Sequence, residues 1–594
     1  MVRSLQGTER DGWRRKHTLA AESVGKRYLK SSILASRGYH TSMSRVRVWA
    51  FSLVFTLSAG ILPLVAASGG LASIGAEDLR AWLSYLASDE LQGRDTYSAG
   101  LGLAAGYIQE HLKGWNAKPA GDGDAYLQTV RVLGVKTTSR SSLTVRVGNE
   151  ARTFKDGDGV TFPRNAGGKR TFTIDRVEFA GYGLDVPDAN HTDFRGKDVA
   201  GAAVVWLGPA GPRGLDAKYR RLLTGRNRYA TDQLRAAASI GPDSQRSGGG
   251  RGGANTPARA ANAPDFTTVQ RLDDAVAPGL AANEAFFIFL FSKSRVKYDD
   301  LKRLVDARDA LPPFRLEGVS MTFSIDVTYD VVRTQLTHNV VAIVEGSDPA
   351  LKNSYVAFGA HYDHVGYAEG EPGDASRRAP GRVSAGAAGD RVWNGADDDG
   401  SGTVALMALA RAFAEGPRPK RSLLFVWHAG EERGLLGSRY FADHASVPTE
   451  QIVAQLNMDM IGRNRDDLLS EANTVYLVGS DRISSELHEI NRDANRALPA
   501  PLTLSYEMND PADLEQIYFR SDHYSYAVKG IPIIFFTTGL HPDYHANTDE
   551  VSKIEFDKLT RVTRLVYETG LRLANLDHAP VRDNLGPRAG RETR

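Results

Sequence analysis

From residue 338 onward, short and almost unbroken apolar runs alternate with amphipathic stretches. Asn339 to Val344, Tyr355 to Ala360, Ser422 to Trp427, Gln451 to Leu456, Thr474 to Val478 and Pro532 to Thr537 read as strands. Gly402 to Ala414, Ser484 to Asn495 and Ile554 to Leu573 read as helices, with Leu406, Leu409 and Phe413 on one face. The alternation predicts an α/β fold, a mixed central sheet with helices on both faces. Ligands of such sheets collect beyond the carboxyl ends of the strands.

Two more helices are predicted between Ala76 and about His111, from Leu79, Leu83 and Leu86 and from Leu101, Ala105, Ile108 and Leu112. The loop Leu91 to Gly100 reads as a turn between them, with Arg94 as its one residue to test. From about Val130 to Val319 the pattern changes. Short β-like runs such as Thr171 to Phe179, Ala202 to Leu207 and Phe286 to Phe291 are divided by Gly and Pro. Within them, Ser239 to Pro264 has almost no large apolar residue and is expected to be a mobile, disordered loop. With 594 residues, more than one core is expected: an α/β body at 74–130 and 320–575, a β-rich insert at 131–319, and a polar tail at 576–594.

Val48 to Val65 is an uncharged apolar run preceded by Arg45 and Arg47 and followed by Ala66-Ala67-Ser68, the pattern of a signal peptide cleaved near Ala67. Met43 opens a conventional signal, which makes 43–67 the signal and 1–42 a doubtful extension. The chain is therefore expected to be exported, to the periplasm or beyond the cell. A membrane enters only if 48–65 stays uncleaved as an anchor. The first 67 residues carry eleven Lys/Arg against three Asp/Glu, so the net +2 leaves the rest at +2 minus 8, about −6, and no nucleic-acid partner is expected. The chain has no cysteine, so any metal must be held by His and carboxylate.

Residues of those two types stand just after the predicted strands. His361-Tyr-Asp363-His364 follows the second, Asp397-Asp398-Asp399 precedes a helix, and Glu431 and Glu432 follow the third. Asp459 sits in an apolar run, and His541 and His545 follow the last strand. Taken singly, these have plain alternatives: solvated Glu-Glu, a capped helix with exposed acids, packed histidines. Together, five strand ends delivering His, Asp, Glu, Asp and His converge too much charge to be stable without cations. A histidine two residues before an acid lies on the same side of an extended segment, so Asp363 is placed to accept the second ring N–H of His361.

The order and wording of these motifs resemble the co-catalytic di-zinc aminopeptidases, the bacterial leucyl-type group whose fold also appears in glutamate carboxypeptidase, glutaminyl cyclase and the transferrin receptor. The resemblance covers about 74–130 and 320–575, and the insert resembles a protease-associated domain. It implies two Zn2+ per chain, with His361 and Asp459 on one, Glu432 and His545 on the other, and Asp398 bridging them. It implies Glu431 as general base, Asp363 as the acid orienting His361, and Tyr544 near the reacting carbonyl oxygen. His364, His428, His523 and His541 are read as supporting residues rather than further ligands, and Arg520-Ser-Asp-His523 as a candidate substrate contact. The expected function is an exported exopeptidase removing N-terminal residues from peptides through a di-zinc-activated water. The alternatives are a carboxypeptidase or dipeptidase, a glutaminyl-cyclase-like enzyme, or a non-catalytic receptor on the same scaffold. The segment Gly366 to Trp393 and the insert are expected to roof the cleft.

Overall fold

The computed structural model describes residues 70–243, 263–369 and 379–587, all within one contact unit, Val65–Arg594. The apolar run at 48–65, the start at Met43 and positions 244–262 of the loop expected to be mobile lie outside the described residues. No helix among the described residues is long and apolar enough to cross a membrane.

Two ten-stranded sheets organise the chain. The first runs in the order Phe266–Thr268, Leu127–Ser139, Val327–Val344, Ser422–His428, Tyr355–His361, Ile452–Met458, Ile533–Thr537, Thr474–Val478 and Thr503–Ser505, with Lys118–Pro119 paired to Val327–Val344. Its four central strands, from Ser422–His428 to Ile533–Thr537, are parallel. Every residue of Ser422–His428 and of Ile452–Met458 is buried. Parallel strands covered on both faces must be apolar throughout, which is why they stood out as unbroken runs. One face packs on Ala76–Leu86, Ala99–Gly114, Gly402–Glu415 and Phe556–Asn575, the other on Leu436–Asp443 and His523–Val528. The expected mixed sheet with helices on both faces is borne out.

Polar anchors fix this stack. Trp427, fully buried, donates its indole N–H to Thr403 O at 3.1 Å, tying the third central run to the helix Gly402–Glu415. Asn339, also fully buried, donates to Gly437 O and accepts from Ala429 N, both at 3.0 Å, and so holds the turn that carries Glu431.

The second sheet orders Phe314–Arg315, Val177–Phe179, Ala203–Val205, Ala238–Pro242, Gly279–Ala282, Gly159–Thr161, Glu150–Asp156, Ser142–Val147, Val319–Ile325 and Arg170–Ile174. The chain enters it after Ser139, the end of a strand of the first sheet, gives Phe266–Thr268 back to the edge of that first sheet, and returns after Ile325. Two sequence expectations need correction here. Phe286 to Phe291, expected as a strand, is the helix Glu284–Leu290: Asn283 caps it by accepting from Phe286 N at 3.2 Å, and Phe286, Phe287 and Leu290 face the core at helical spacing. Packing has overridden aromatic β propensity. The start of the stretch expected to be mobile is the ordered strand Ala238–Pro242. Its small residues belong there, because a Cβ on Gly241 would lie 1.9 Å from the Trp206 ring. The tail is docked through Gly586, with Asn584 N and Gly586 N donating to Ile483 O and Arg482 O.

Candidate metal centre

Parallel register sets His361 level with His428, and Gly359 level with Asn457, so the ends of three central strands open on one place. His361 ends its strand, Asp459 follows Met458 directly, and Glu431 and Glu432 lie on the turn after His428. Asp398 comes in from the loop before Gly402–Glu415, and His545 from the loop after Ile533–Thr537.

His361 Nε2 lies 3.3 Å from Asp398 Oδ1 and 3.7 Å from Asp459 Oδ2. His545 Nε2 lies 3.1 Å from Asp398 Oδ2 and 2.9 Å from Glu432 Oε2. The two oxygens of Asp398 therefore face two different ligand groups, and all five side chains expected to ligate come together. The acids are not solvated: Asp397 and Asp399 are fully buried, and Asp398 is 3 % exposed.

This much buried charge lacks internal compensation. His361 Nε2, Asp398 Oδ2 and Glu432 Oε1 have no hydrogen-bond partner, at a cost of about 1–3 kcal/mol for each such atom. Burial, with Glu432 and Asp459 close by, holds the Glu431 carboxyl well above its usual range. Burial also raises Asp459. On His545 burial opposes charge, yet Asp398 and Glu432 outweigh it and lift the imidazole to about 10. Asp398 and Glu432 go the other way: although burial opposes it, the imidazoles facing them hold both below the usual carboxylate range. Buried acids and imidazoles so opposed offer N and O donors of the kind that could hold a divalent cation.

The supporting residues are specific. His361 Nδ1 donates to the backbone oxygen of Asp363 at 3.1 Å, which leaves Nε2 for the ligand side. The Asp363 carboxylate, expected to take that proton, stands 3.7 Å from Nδ1; it accepts instead from Thr96 Oγ1 at 3.1 Å and Glu431 N at 3.2 Å. The short step from residue 361 to 363 brings the main chain nearer than the side chain, so Asp363 orients the Glu431 turn more directly than the His361 ring. Asp399 accepts from His361 N, Gly402 N and Met460 N. Asp549 accepts from Asp397 N and Asp398 N. Among the other histidines, His541 Nε2 sits 3.2 Å from Asp397, His428 contacts Asp522 and Tyr526, and His523 contacts Tyr518 O. His364 alone turns toward Glu432, at 2.8 Å.

Sequence reasoning undervalued Arg94. It is 2 % exposed and donates to the carbonyls of Tyr362, Asn394 and Gly395 at 2.8–3.0 Å, and to Leu86 O. One guanidinium thus clamps both ligand-bearing loops, although burial pulls it down to about 10. A lone Arg in a turn carries no pattern that announces this. Nor did any pattern announce the pocket that Asp398, Glu431 and Asp459 share with Met460, Met508, Ile517, Phe535 and Leu540. Arg520 and Tyr544 line it too; Arg520 Nη2 donates to Tyr544 OH at 2.9 Å, and the Tyr544 ring stacks on His545 at 4.0 Å.

The family model of peptidase family M28 matches residues 339–570. Leucine aminopeptidase 1 of Trichophyton equinum is 26% identical over 238 residues, 39% of this chain and 56% of the relative. The probable leucine aminopeptidase of Arthroderma benhamiae is 27% identical over 235 residues, 38% of this chain and 56% of its own length. The chain thus spans about half the length of the curated relatives it matches. Among solved structures, an aminopeptidase from Aneurinibacillus sp. strain AM-1 aligns over 87% of this chain and 98% of its own, at 17% identity and a TM-score of 0.40.

Proposed function

We propose, from the match of residues 339–570 to the model of peptidase family M28, that the chain is an exported zinc-dependent exopeptidase releasing apolar N-terminal residues from peptides. The observation that carries the reading is the pair of ligand groups sharing Asp398, set beside a buried Glu431 at an apolar pocket. Two ions, one on His361, Asp398 and Asp459 and one on Asp398, Glu432 and His545, would polarise the peptide carbonyl and acidify the attacking water.

The protein's own groups do the rest. Glu431 takes the proton of that water and returns it to the leaving amine, a role suited to a carboxyl whose proton affinity burial has raised. Tyr544 OH, which accepts from Arg520, donates to the carbonyl oxygen. Met460, Met508, Ile517 and Phe535 take the first side chain. A carboxypeptidase would need a free cation for the substrate carboxylate. Among the described pocket residues Arg520 is the one Lys or Arg, and it is engaged by Glu515 and Tyr544. Export rests on the apolar run Val48 to Val65 with its basic flank.

The test is a panel of aminoacyl chromogenic substrates, free and N-acetylated, with zinc quantified in the same sample. Leucyl, methionyl and phenylalanyl substrates should be cleaved, their acetylated forms should not, and zinc should approach two per chain. Equal cleavage of acetylated substrates would overturn the amino-terminal reading.

A further inference from the structure

The second ligand group holds one imidazole more than the proposed chemistry requires. His364 is fully buried, and neither of its ring nitrogens has a hydrogen-bond partner. Its place is not accidental: His364 N donates to Arg94 O at 3.1 Å, and Gly395 lies so close that a Cβ there would stand 2.5 Å from the imidazole Cγ. The main chain has been shaped to admit this ring.

What the ring faces is informative. His364 Nδ1 lies 2.8 Å from Glu432 Oε1 and 3.9 Å from Asp398 Oδ2, and the His545 ring meets it edge-on at 5.8 Å. Nδ1 and Oε1 are near enough to hydrogen-bond, yet both remain without a partner, because their directions are wrong for each other. Two donor atoms in contact but not aimed at one another is the arrangement expected of ligands converging on a common third point. Glu432 presents Oε1 to His364 and Oε2 to His545, one oxygen to each imidazole. His364, Asp398 and Glu432 each offer an atom within 4.8 Å of the others.

We propose that His364, through Nδ1, is a fourth protein ligand of the second metal position. That position is then closed by His364, Asp398, Glu432 and His545, whereas the first has three protein ligands, His361, Asp398 and Asp459. Closed sets of four are those of structural metal sites, and sets of three leave room for water or substrate. The two positions are therefore unequal: the second is held more firmly, and the first keeps room for water or substrate. This rests on the metallopeptidase reading above.

Full-length protein dialysed against increasing dipicolinate, with zinc measured per chain, should release its ions in two steps. His364→Asn should weaken the firmer step by at least tenfold and leave the other, while His361→Asn should do the reverse. A supporting role for His364 could also weaken binding, so a second measurement separates the two. Wild-type protein given one equivalent of Co2+ and studied by X-ray absorption should show two imidazoles on the ion; one imidazole overturns the proposal, and this arm stands even if the His364 variant fails to fold. Two zinc ions with one imidazole each would sink this inference and spare the peptidase reading, whereas a wild-type chain that binds no metal would sink both.

Discussion

Glu178, in the second sheet, is 5 % exposed and is met by Arg315 Nε at 2.8 Å and Lys197 Nζ at 3.9 Å. Nearby, Asn227 Oδ1 accepts from both Ser239 Oγ and Trp206 Nε1. Among the described residues between 140 and 325, no buried side-chain polar atom lacks a hydrogen-bond partner. At the carboxyl ends of the first sheet's parallel strands, by contrast, His361, His364, Asp398 and Glu432 are buried with partnerless atoms. Both sheets have ten strands and a closed apolar core. Single partnerless atoms occur elsewhere in the first body, such as Asn491 Oδ1 and Tyr506 OH, but at these strand ends several converge within reach of one another.

The largest effects should come from removing groups on the chemical side of that divide. Glu431→Gln should lower kcat by about 10²–10⁴-fold while zinc content stays at the wild-type level. Asp398→Asn, which touches both ligand groups, should lose zinc as well as turnover. Near-normal turnover in the Glu431 variant would mean that its carboxylate is scaffold after all, and the contrast would fail at its centre.

On the other side, truncating a core residue should cost stability and nothing else. Phe179 is fully buried and packs edge-on to Phe291 at 5.4 Å and against Phe314 at 5.3 Å. Phe179→Ala should destabilise the protein by about 3–5 kcal/mol in denaturant melts. Well below its midpoint, kcat per folded molecule should stay within about twofold of wild type. A large fall in kcat without loss of structure would show that the second sheet reaches into the reaction.

How much of this was legible follows the same physics. The central strands could be read because burial on both faces forces apolar runs, and Thr474–Val478 matches its expected bounds. His361, Asp398, Glu432 and Asp459 could be expected together because each stands within four residues of a strand or helix end, and His545 because it follows the last central strand in its loop. Arg94, Met508 and Ile517 could not, since their positions depend on contacts across long sequence separations, such as Arg94 with Gly395, 301 residues apart. His364 was visible in His-Tyr-Asp-His, but spacing alone does not tell a packed imidazole from a ligand. The helix Glu284–Leu290 was misread because its aromatic run suits a strand equally well until the core decides.

A buried cation outside the site sharpens the comparison at a smaller scale. Lys558 is 2 % exposed, donates to Asn464 Oδ1 at 2.9 Å and Glu471 O at 2.8 Å, and is pulled down to about 8 by burial, which Asp397 and Glu471 only partly offset. Between that value and 10.5, its ordinary value, the unfolded chain holds the proton that the folded one releases. The lysine's contribution to stability must therefore rise with pH across this window and be flat below it. The unfolding free energy of wild type minus that of Lys558→Gln should grow by on the order of 2–3 kcal/mol from pH 8 to pH 10.5. A flat difference would mean that its two acceptors already compensate the charge.

The smallest effect tests whether the two regions are separate at all. Arg221, between the second sheet's strands Ala203–Val205 and Ala238–Pro242, donates to Glu515 Oε2 at 2.5 Å; Arg520 Nη1 donates to the same oxygen at 2.8 Å, and its other arm reaches Tyr544 OH. Arg221 is 55 % exposed, so the ion pair itself is worth about 0–1 kcal/mol and Arg221→Ala should hardly move a melt. Its consequence lies in where Glu515 holds Arg520. With Arg221 gone, Glu515 is freer to draw Arg520 away from Tyr544, and kcat/KM for leucyl substrates should fall by up to about fivefold, the equivalent of 1 kcal/mol. Glu515→Gln removes that pull, so adding Arg221→Ala to it should change kcat/KM little, because Arg221 acts through that one carboxylate. If Arg221→Ala leaves kcat/KM untouched, the second sheet is scaffold alone and the division between the two regions is complete.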